Sequence, residues 1–276
     1  MEIKKIEDNF VVAQDNQFMQ AIYKDWTIRE IKFLNIALST IIKEDTEFKE
    51  TDIKTTDITR LLGVKKLDYS KLKSFCEELF KKSIEVKIYN EETKEYGFEL
   101  FHFFSKFKYN GNGIISFKFD NEVKDYLLNL KEKFTIYKLT NVLTLKSKYS
   151  LQIYMLLKQM AKLGYRKIMI KDFCKILDIK ENSTNYKNKN LKYRVLEVAL
   201  KELLLKTDTA FDYTLRKTKN SKIADLITFT IYSNNGHDTF LTNAENMTSS
   251  SMLLMYKDYL ECLEFSKDDS YLVDNY

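Results

Sequence analysis

The chain of 276 residues contains no proline, six glycines, three cysteines and two histidines. The absence of proline, beside abundant Lys, Asn and Ile, indicates an AT-rich coding sequence and predicts nothing about the fold. Cys76, Cys174 and Cys262 are odd in number, far apart and without metal-ligand spacing, which argues against a disulfide framework. We therefore expect a protein of the reducing cytosol, with a cytoplasmic location.

The sequence also lacks long apolar runs. No stretch approaches the length that spans a bilayer, and residues 1–8 carry charges but no apolar core of a signal peptide. Apolar residues nevertheless make up 44% of the chain, which is enough to fill the cores of two domains. We expect a soluble, unprocessed, globular protein with no membrane partner.

Residues that would support catalysis are missing as well. A rolling-circle nicking enzyme needs closely spaced histidines around a metal, yet His102 and His237 are far apart. We interpret His102 as a strand residue rather than as a ligand. None of the six glycines opens the Gly-x-x-x-x-Gly-Lys-Ser/Thr run of a phosphate-binding loop. We expect no enzymatic activity, no metal and no cofactor.

An internal repeat is the most informative feature that is present. Three segments of the first half recur in the same order in the second half. Each segment has a helical pattern, and a hairpin pattern follows the third segment in both halves. The offsets are 115 for Ile53–Val64 with Ile168–Ile179, 117 for Thr27–Ile36 with Thr144–Ile153, and 124 for Tyr69–Lys82 with Tyr193–Lys206. The repeated order of three helices and a hairpin predicts an α+β fold of two tandem winged-helix domains.

We divide the chain into four parts. Residues 1–20 form an N-terminal arm with strand character near Phe10–Ala13, 21–141 the first winged-helix domain, 142–236 the second, and 237–276 an acidic tail. In the tail, 251–263 has the spacing of a short helix with one apolar side, which we expect to pack on the protein's own body or, alternatively, to bind a partner.

Several element boundaries follow from capping and periodicity. Thr27 and Glu30 form a capping box, Gly63 ends the second helix, and the helix from Ser70 to Lys82 buries its apolar side. We expect a three-stranded meander between 84 and 119, a helix from Asp120 to about Lys133, and a helix from about Lys146 to Leu163. The side chains predicted to be buried in the third helix are Leu72, Phe75, Leu79 and Phe80.

Positive charge is concentrated in the second repeat. Residues 144–236 carry 19 Lys and Arg against 8 Asp and Glu, a net charge of +11, whereas residues 1–143 carry 24 of each. The last forty residues carry 2 against 8. Clustered cations favour a surface that faces phosphates, because counterion release rewards them. The alternative is a solvated lysine side that touches nothing.

The third helix of the second repeat is predicted to be the recognition helix. At 100° per residue, its inner side comprises Leu191, Val195, Leu196, Ala199, Leu200 and Leu203. The opposite side supplies the candidate base-reading residues Asn190, Tyr193, Arg194 and Glu197. The candidate phosphate-binding residues are Tyr186, Lys187, Lys189, Lys201, Arg216, Lys217, Lys219 and Lys222.

The equivalent side of the first repeat is mixed in charge. Its candidate contacts for DNA are Lys66, Tyr69, Ser70 and Lys73, but Glu77 lies among them and would repel phosphates. This side therefore serves either as a weaker DNA contact or as a protein interface. We expect the first repeat to supply the self-association surface as well as a weaker DNA contact.

Four segments resemble one known protein family. Val142–Lys158, Phe173–Ile179, Tyr193–Leu196 and Lys201–Leu203 are similar to the iteron-binding plasmid replication initiators, and the likeness extends over about 10–235. The resemblance implies two winged helices that bind tandem origin repeats as a monomer, bending or opening adjacent AT-rich DNA. It also implies a dimer that represses its own promoter, and recruitment of the host helicase and chromosomal initiator. The alternatives are a tandem winged-helix transcription regulator and a winged-helix subunit of a chromosome-condensing complex.

Overall fold

The computed structural model describes residues 3–7, 9–65, 68–128, 130–131, 133–186, 188–219 and 221–234. Lys66, Lys187 and the acidic tail with its expected helix lie outside the described residues, as do Cys262 and His237. No helix in the described ranges is long and apolar enough to cross a membrane.

The first repeat contains four helices and six strands before its connection to the second. Its first long helix starts at the predicted capping box: Thr27 Oγ1 accepts from the Glu30 backbone N at 3.3 Å, and Thr27 N donates to Glu30 Oε2 at 2.6 Å. In chain order the elements are β1 (Val11–Asp15), α1 (Asn16–Met19), α2 (Ile28–Leu38), β2 (Thr51–Lys54), α3 (Thr55–Leu61), α4 (Tyr69–Lys81), β3 (Ser83–Asn90), β4 (Glu95–His102), β5 (Phe104–Tyr109) and β6 (Ile114–Phe119).

The second repeat follows the same plan. The connection consists of a 3-10 turn (Asn121–Val123), α5 (Lys124–Leu127), β7 (Phe134–Lys138) and α6 (Leu139–Thr144). After it come α7 (Lys148–Lys158), β8 (Tyr165–Met169), α8 (Ile170–Ile176), a 3-10 turn (Thr184–Tyr186), α9 (Asn188–Asn190), a π-helical segment (Leu191–Leu196), α10 (Glu197–Lys206), β9 (Thr209–Arg216) and β10 (Leu226–Ser233).

The sheets show which strands of the two repeats correspond. The strand order is β2-β6-β5 in the first repeat and β8-β10-β9 in the second. The β2–α3 and β8–α8 pairs keep the predicted offset of 115. The hairpin β3–β4 has no counterpart in the second repeat. It is an insertion between the third helix and the wing strands of the first domain.

The predicted three-stranded meander is wrong. The predicted second strand is interrupted at Phe103. This residue is buried between β4 and β5, and its ring packs edge-on against Phe18 and Trp26 at centroid distances of 5.4 and 6.0 Å. The register also shifts between Phe104 and Lys106. Because the buried ring turns the chain, β3 and β4 form one sheet while β5 and β6 join β2 in another.

The helix predicted from Asp120 to Lys133 is also wrong. Asp120 does cap a turn, accepting from Glu122 N at 3.1 Å, but the helix ends at Leu127 and β7 follows. The β7 sequence Phe-Thr-Ile-Tyr-Lys is rich in aromatic and β-branched residues, which favour strands, and it pairs antiparallel with β1. Tyr137 is buried there, accepting from Gln14 Nε2 at 2.6 Å and donating to Asn35 Oδ1 at 2.7 Å.

One further helix boundary and one burial prediction are wrong. Helix α7 ends at Lys158 rather than Leu163, because i→i+3 bonds such as Met160 N to Leu157 O tighten the following turns until Gly164, whose φ is 72°. Phe80, predicted to be buried, is 49% exposed, because α4 turns it towards an open groove rather than the core.

The two repeats contact each other directly. Lys175 Nζ lies 2.8 Å from Glu85 Oε1, and Asp25 N donates to Asp178 Oδ2 at 2.8 Å. Arg166 Nη2 donates to Gln20 Oε1 at 2.7 Å, and burial lowers the pKa of Arg166 to about 10. These bonds connect the two winged helices in addition to the peptide linkage.

Candidate nucleic-acid interface

The recognition helix of the second repeat packs as its sequence predicts. All six residues assigned to its inner side are buried, and Leu204 joins them. Burial of a continuous apolar side fixes the helix against α7 and β9, which leaves the opposite side available to a ligand.

A π-helical segment forms the first part of this helix. Glu197 N donates to Lys192 O, an i→i+5 bond, so each residue from Leu191 to Leu196 advances by less than the 100° of an α-helix. Lys192 is consequently exposed, with Nζ 5.4 Å from the centroid of the Tyr193 ring. The 100° projection puts Lys192 on the inner side, which is why sequence reasoning missed it.

The four candidate base-reading residues fall into two pairs. Tyr193 is 58% exposed and Arg194 is also exposed, with no carboxylate within ion-pair distance among the described residues. Asn190 Nδ2, in contrast, donates to Thr184 O at 2.7 Å, and Glu197 Oε1 accepts from Tyr213 OH at 2.6 Å. Asn190 and Glu197 thus hold neighbouring parts of the protein, while Tyr193 and Arg194 extend from the helix surface.

Tyr213 connects the recognition helix to the wing. It lies on β9, and its pKa is raised, first by burial and then by the hydrogen bond it donates to Glu197. The hydroxyl therefore stays protonated and keeps donating throughout the physiological range. This bond sets the position of the wing relative to the helix.

The candidate phosphate-binding residues surround this pair. Lys189 precedes the π-helical segment and is exposed, Lys201 is half-buried further along the helix, and Tyr186 is half-buried against the core. Burial raises the pKa of Tyr186. The wing residues Arg216, Lys217, Lys219 and Lys222 are all exposed.

The first repeat presents a different surface at the same place. Tyr69, Ser70 and Lys73 are exposed on α4, but Lys73 Nζ lies 3.7 Å from Glu77 Oε1. The ring of Tyr69 leans on Tyr109 at a centroid distance of 6.2 Å, beside a groove of about 480 Å³ that exposed Phe80 also lines. The side is thus partly apolar and its lysine is paired.

No group of three or more His, Cys, Asp or Glu side chains that could hold a metal occurs within the ranges that the structure covers. Cys76 and Cys174 are free thiols there, and burial raises the pKa of Cys76 to about 11 and of Cys174 to about 12. Neither thiol has the lowered pKa of a reactive cysteine.

Comparison with known structures shows a matching architecture. A crystal structure of the Pi initiator protein in complex with iteron DNA matches with a TM-score of 0.63 at 19% identity, covering 83% of this chain and 100% of that chain. Two structures of RctB domains 2 and 3 match at TM-scores of 0.41 and 0.37, each at 11% identity. They cover 79% and 78% of this chain and 82% and 80% of theirs.

Family models identify both repeats. No curated protein sequence matches the chain significantly. The model described as "Initiator Replication protein, WH1" matches residues 11–158, and the one described as "Initiator Rep protein, WH2" matches residues 169–231. These models confirm the two tandem winged-helix domains predicted from the internal repeat. Because the two together cover most of the chain in the order of its repeats, the chain belongs to the initiator replication protein family and is a DNA-binding replication initiator.

Proposed function

We propose that this cytoplasmic initiator acts without enzymatic activity and starts plasmid replication by binding direct repeats, the iterons, of double-stranded origin DNA. The observation that carries the proposal is the exposed pair Tyr193 and Arg194 on the recognition helix, beside a basic wing and within the repeat that carries the +11 charge. The Pi initiator, which shares the fold, was crystallised with iteron DNA.

Recognition divides between bases and backbone. Arg194 grips a guanine edge through two hydrogen bonds, and Tyr193 contacts the neighbouring base. Asn190 contacts an adenine, and Glu197 accepts a hydrogen bond from a cytosine amino group. Each side chain already makes one hydrogen bond within the protein, and its remaining donor or acceptor atoms are available to the base. Lys189, Lys192, Lys201 and the wing cations bind phosphates, and we assign Tyr186 and Lys187 the same role.

The first domain adds a weaker DNA contact. Tyr69, Ser70 and Lys73 lie at the equivalent place, where the Lys73–Glu77 pair and a neutral domain charge offer phosphates little attraction. We assign Lys66, which precedes them in the sequence, to the same contact. We assign residues 21–141 to this domain, 142–236 to the main reader, and 1–20 and 237–276 to the arm and tail.

Titration of the full-length protein tests the proposal. Direct repeats of about 20 base pairs, roughly two turns of DNA, should lie beside the coding region and bind the protein far more tightly than a scrambled duplex. If the second domain neutralises about six phosphates, log K should fall with log salt at a slope near −5. Equal affinity for both duplexes would refute sequence-specific initiation.

Self-association through the first domain is part of the same proposal. Tyr96, Phe98 and Leu100 alternate along β4 and are exposed, and among the described residues β4 pairs only with β3. An apolar, unpaired edge strand favours pairing with the same strand of a second copy. Such a dimer suits an inverted repeat and repression of the initiator's own promoter, whereas a single direct repeat takes one protein.

Dimerisation and origin binding should therefore compete. In sedimentation, the free protein should run as a dimer and the complex with a single-repeat duplex as one protein per duplex. A dimer that stays intact on one repeat would contradict the competition. Recruitment of the host replicative helicase and chromosomal initiator completes the proposal, and a pull-down with each purified protein in the presence of repeat DNA tests it.

A further inference from the structure

A single carboxylate, that of Asp225, closes the base of the wing loop in the second domain. Thr218 donates to Asp225 through its backbone N at 2.7 Å and through its hydroxyl at 2.5 Å. These hydrogen bonds, the side-chain one first, hold the pKa of Asp225 below its usual range. Asp225 O also accepts from Ile170 N, the first residue of α8, at 2.8 Å. The base of the loop is therefore fixed to the helix-turn-helix.

The tip of the loop carries an apolar side chain among cations. Ile223 is 64% exposed, and the exposed residues Lys217, Lys219 and Lys222 lie in the same loop. Ser221 orders this part, because its Oγ donates to Ile223 O at 2.7 Å and accepts from Ile223 N at 3.3 Å. A single exposed isoleucine is ordinary on a protein surface, but this one is fixed by its bonds to Ser221 and lies in the most basic domain.

The tip lies on the strand pair that joins the recognition helix, within reach of a groove next to the one that the helix would occupy. The Tyr213–Glu197 bond marks where β9 meets the helix, and Tyr213 pairs with Phe229 on β10. Ile223 precedes Phe229 by six residues, so it lies no more than about 20 Å from Phe229 of β10. Half a helical turn of DNA is about 17 Å, the spacing between a major groove and the next minor groove.

We propose that Ile223 is a wedge that enters the minor groove beside the reader helix and unstacks one base step, and so kinks the origin DNA. The inference rests on the proposed function, since it takes the recognition helix to lie in the major groove. The flanking lysines hold the phosphates on either side of the narrow groove, while the isoleucine supplies the apolar surface that replaces base stacking. The wedge should prefer pyrimidine–purine steps such as TA, because these base steps unstack most easily.

The test compares matched substitutions in the full-length protein. Ile223→Ala removes the wedge, Ile223→Leu keeps its size, and Leu163→Ala is the control. Leu163 is 66% exposed at the opposite end of the same sheet, beside Gly164, whose carbonyl accepts from Ile231 N. Lys222→Ala, next to the wedge, separates charge from apolar shape.

Two readouts are measured on a duplex that the wild-type protein selects from a random pool. End-to-end energy transfer reports the bend, and 2-aminopurine placed at successive steps reports unstacking. We expect a kink of roughly 20° or more with one bright step for the wild type, Ile223→Leu and Leu163→Ala. Lys222→Ala, which loses a phosphate contact, should bind every duplex more weakly but keep the kink once it is bound. Ile223→Ala should lose both signals while its affinity falls by less than about tenfold, because the unstacking cost disappears with the wedge contacts.

The outcomes separate the wedge from the function on which it rests. Equal affinity for repeat and scrambled duplexes would overturn the proposed function, yet the bend of the selected duplex would still report on the wedge. A wild-type protein that binds without bending, or an Ile223→Ala variant that bends fully, would overturn the wedge alone. A protein that selects no duplex would overturn both.

Discussion

The two repeats share a fold and differ in what their outer surfaces carry. Strand orders β2-β6-β5 and β8-β10-β9 are equivalent, and the helices α3 and α8 occupy the same place in each. On the outer side of the third helix, however, the first repeat pairs Lys73 with Glu77, whereas the second leaves Arg194 free. The buried pattern thus sets the architecture of both domains, and a few exposed side chains set the role of each.

Removing the cations of the second wing should have the largest effect on the difference between the two repeats in DNA binding. The combined substitutions Lys217→Ala, Lys219→Ala and Lys222→Ala should weaken DNA binding by about 4 kcal/mol near 0.1 M salt, since each lost phosphate contact costs about tenfold. The salt slope should fall by close to 3. A triple change in the first repeat at the exposed lysines that line its groove, Lys73 and Lys81 of α4 and Lys108 of β5, should cost much less. Equal losses would mean that both repeats carry the electrostatic contact.

Arg194→Ala should have the next largest effect. We expect a loss of about 1 to 3 kcal/mol on the cognate repeat and a flattened preference at one base position, because the two bonds to a guanine disappear. Lys219→Ala is the control and should weaken all sequences alike. Binding measured on cognate and scrambled duplexes decides, and equal loss on both for Arg194→Ala would remove it from the readers.

A substitution on β4 should affect only the first repeat's role. Phe98→Ser removes exposed apolar surface, so it should weaken the dimer by about 1.5 kcal/mol while affinity for a single repeat stays unchanged or rises. Sedimentation equilibrium of the free protein measures the first quantity and titration the second. The control Ile42→Ser alters an exposed apolar residue in the loop after α2, away from β4. If Ile42→Ser weakens the dimer and Phe98→Ser does not, the interface lies elsewhere.

The smallest expected effect is that of Lys192→Ala. Its exposed ammonium group should contribute one phosphate contact, so the salt slope should fall by about 0.9 and the affinity by about 1 kcal/mol at all sequences. Lys71→Ala, at an exposed lysine of α4 that pairs with Asp68, is the control. An unchanged slope for Lys192→Ala would place Lys192 outside the interface.

Local patterns in the sequence predicted much of the fold. The capping box of Thr27 and Glu30, the glycine end of α3 at Gly63 and the inner side of the recognition helix all depend on neighbours within one or two turns. The internal repeat then supplied the order of elements. Prediction and structure agree for these features because the hydrogen bonds and the buried contacts that define them involve residues close in sequence.

Features that depend on distant residues were not predictable. The interruption of the strand at Phe103 depends on a pocket formed by Phe18 and Trp26. The exposure of Phe80 depends on the open groove beside α4. In the site, the partners of Glu197 and Asn190 come from β9 and from the turn at Thr184–Tyr186. No periodicity in the helix itself signals such bonds, nor the π-helical segment that exposes Lys192.

The pairing of β1 with β7 determines when the first domain can be completed during synthesis. Gln14 bonds to Tyr137, 123 residues later, and Val12 is buried beside the same strand pair. A ribosome must therefore release residue 138 before β1 finds its partner, although α2 to β6 have long since emerged. Such a late, non-local closure is slow compared with helix formation. A chain cut between Leu127 and Phe134 would leave the apolar side of β1 uncovered, so a division of the protein into separately produced halves should fall after Lys138.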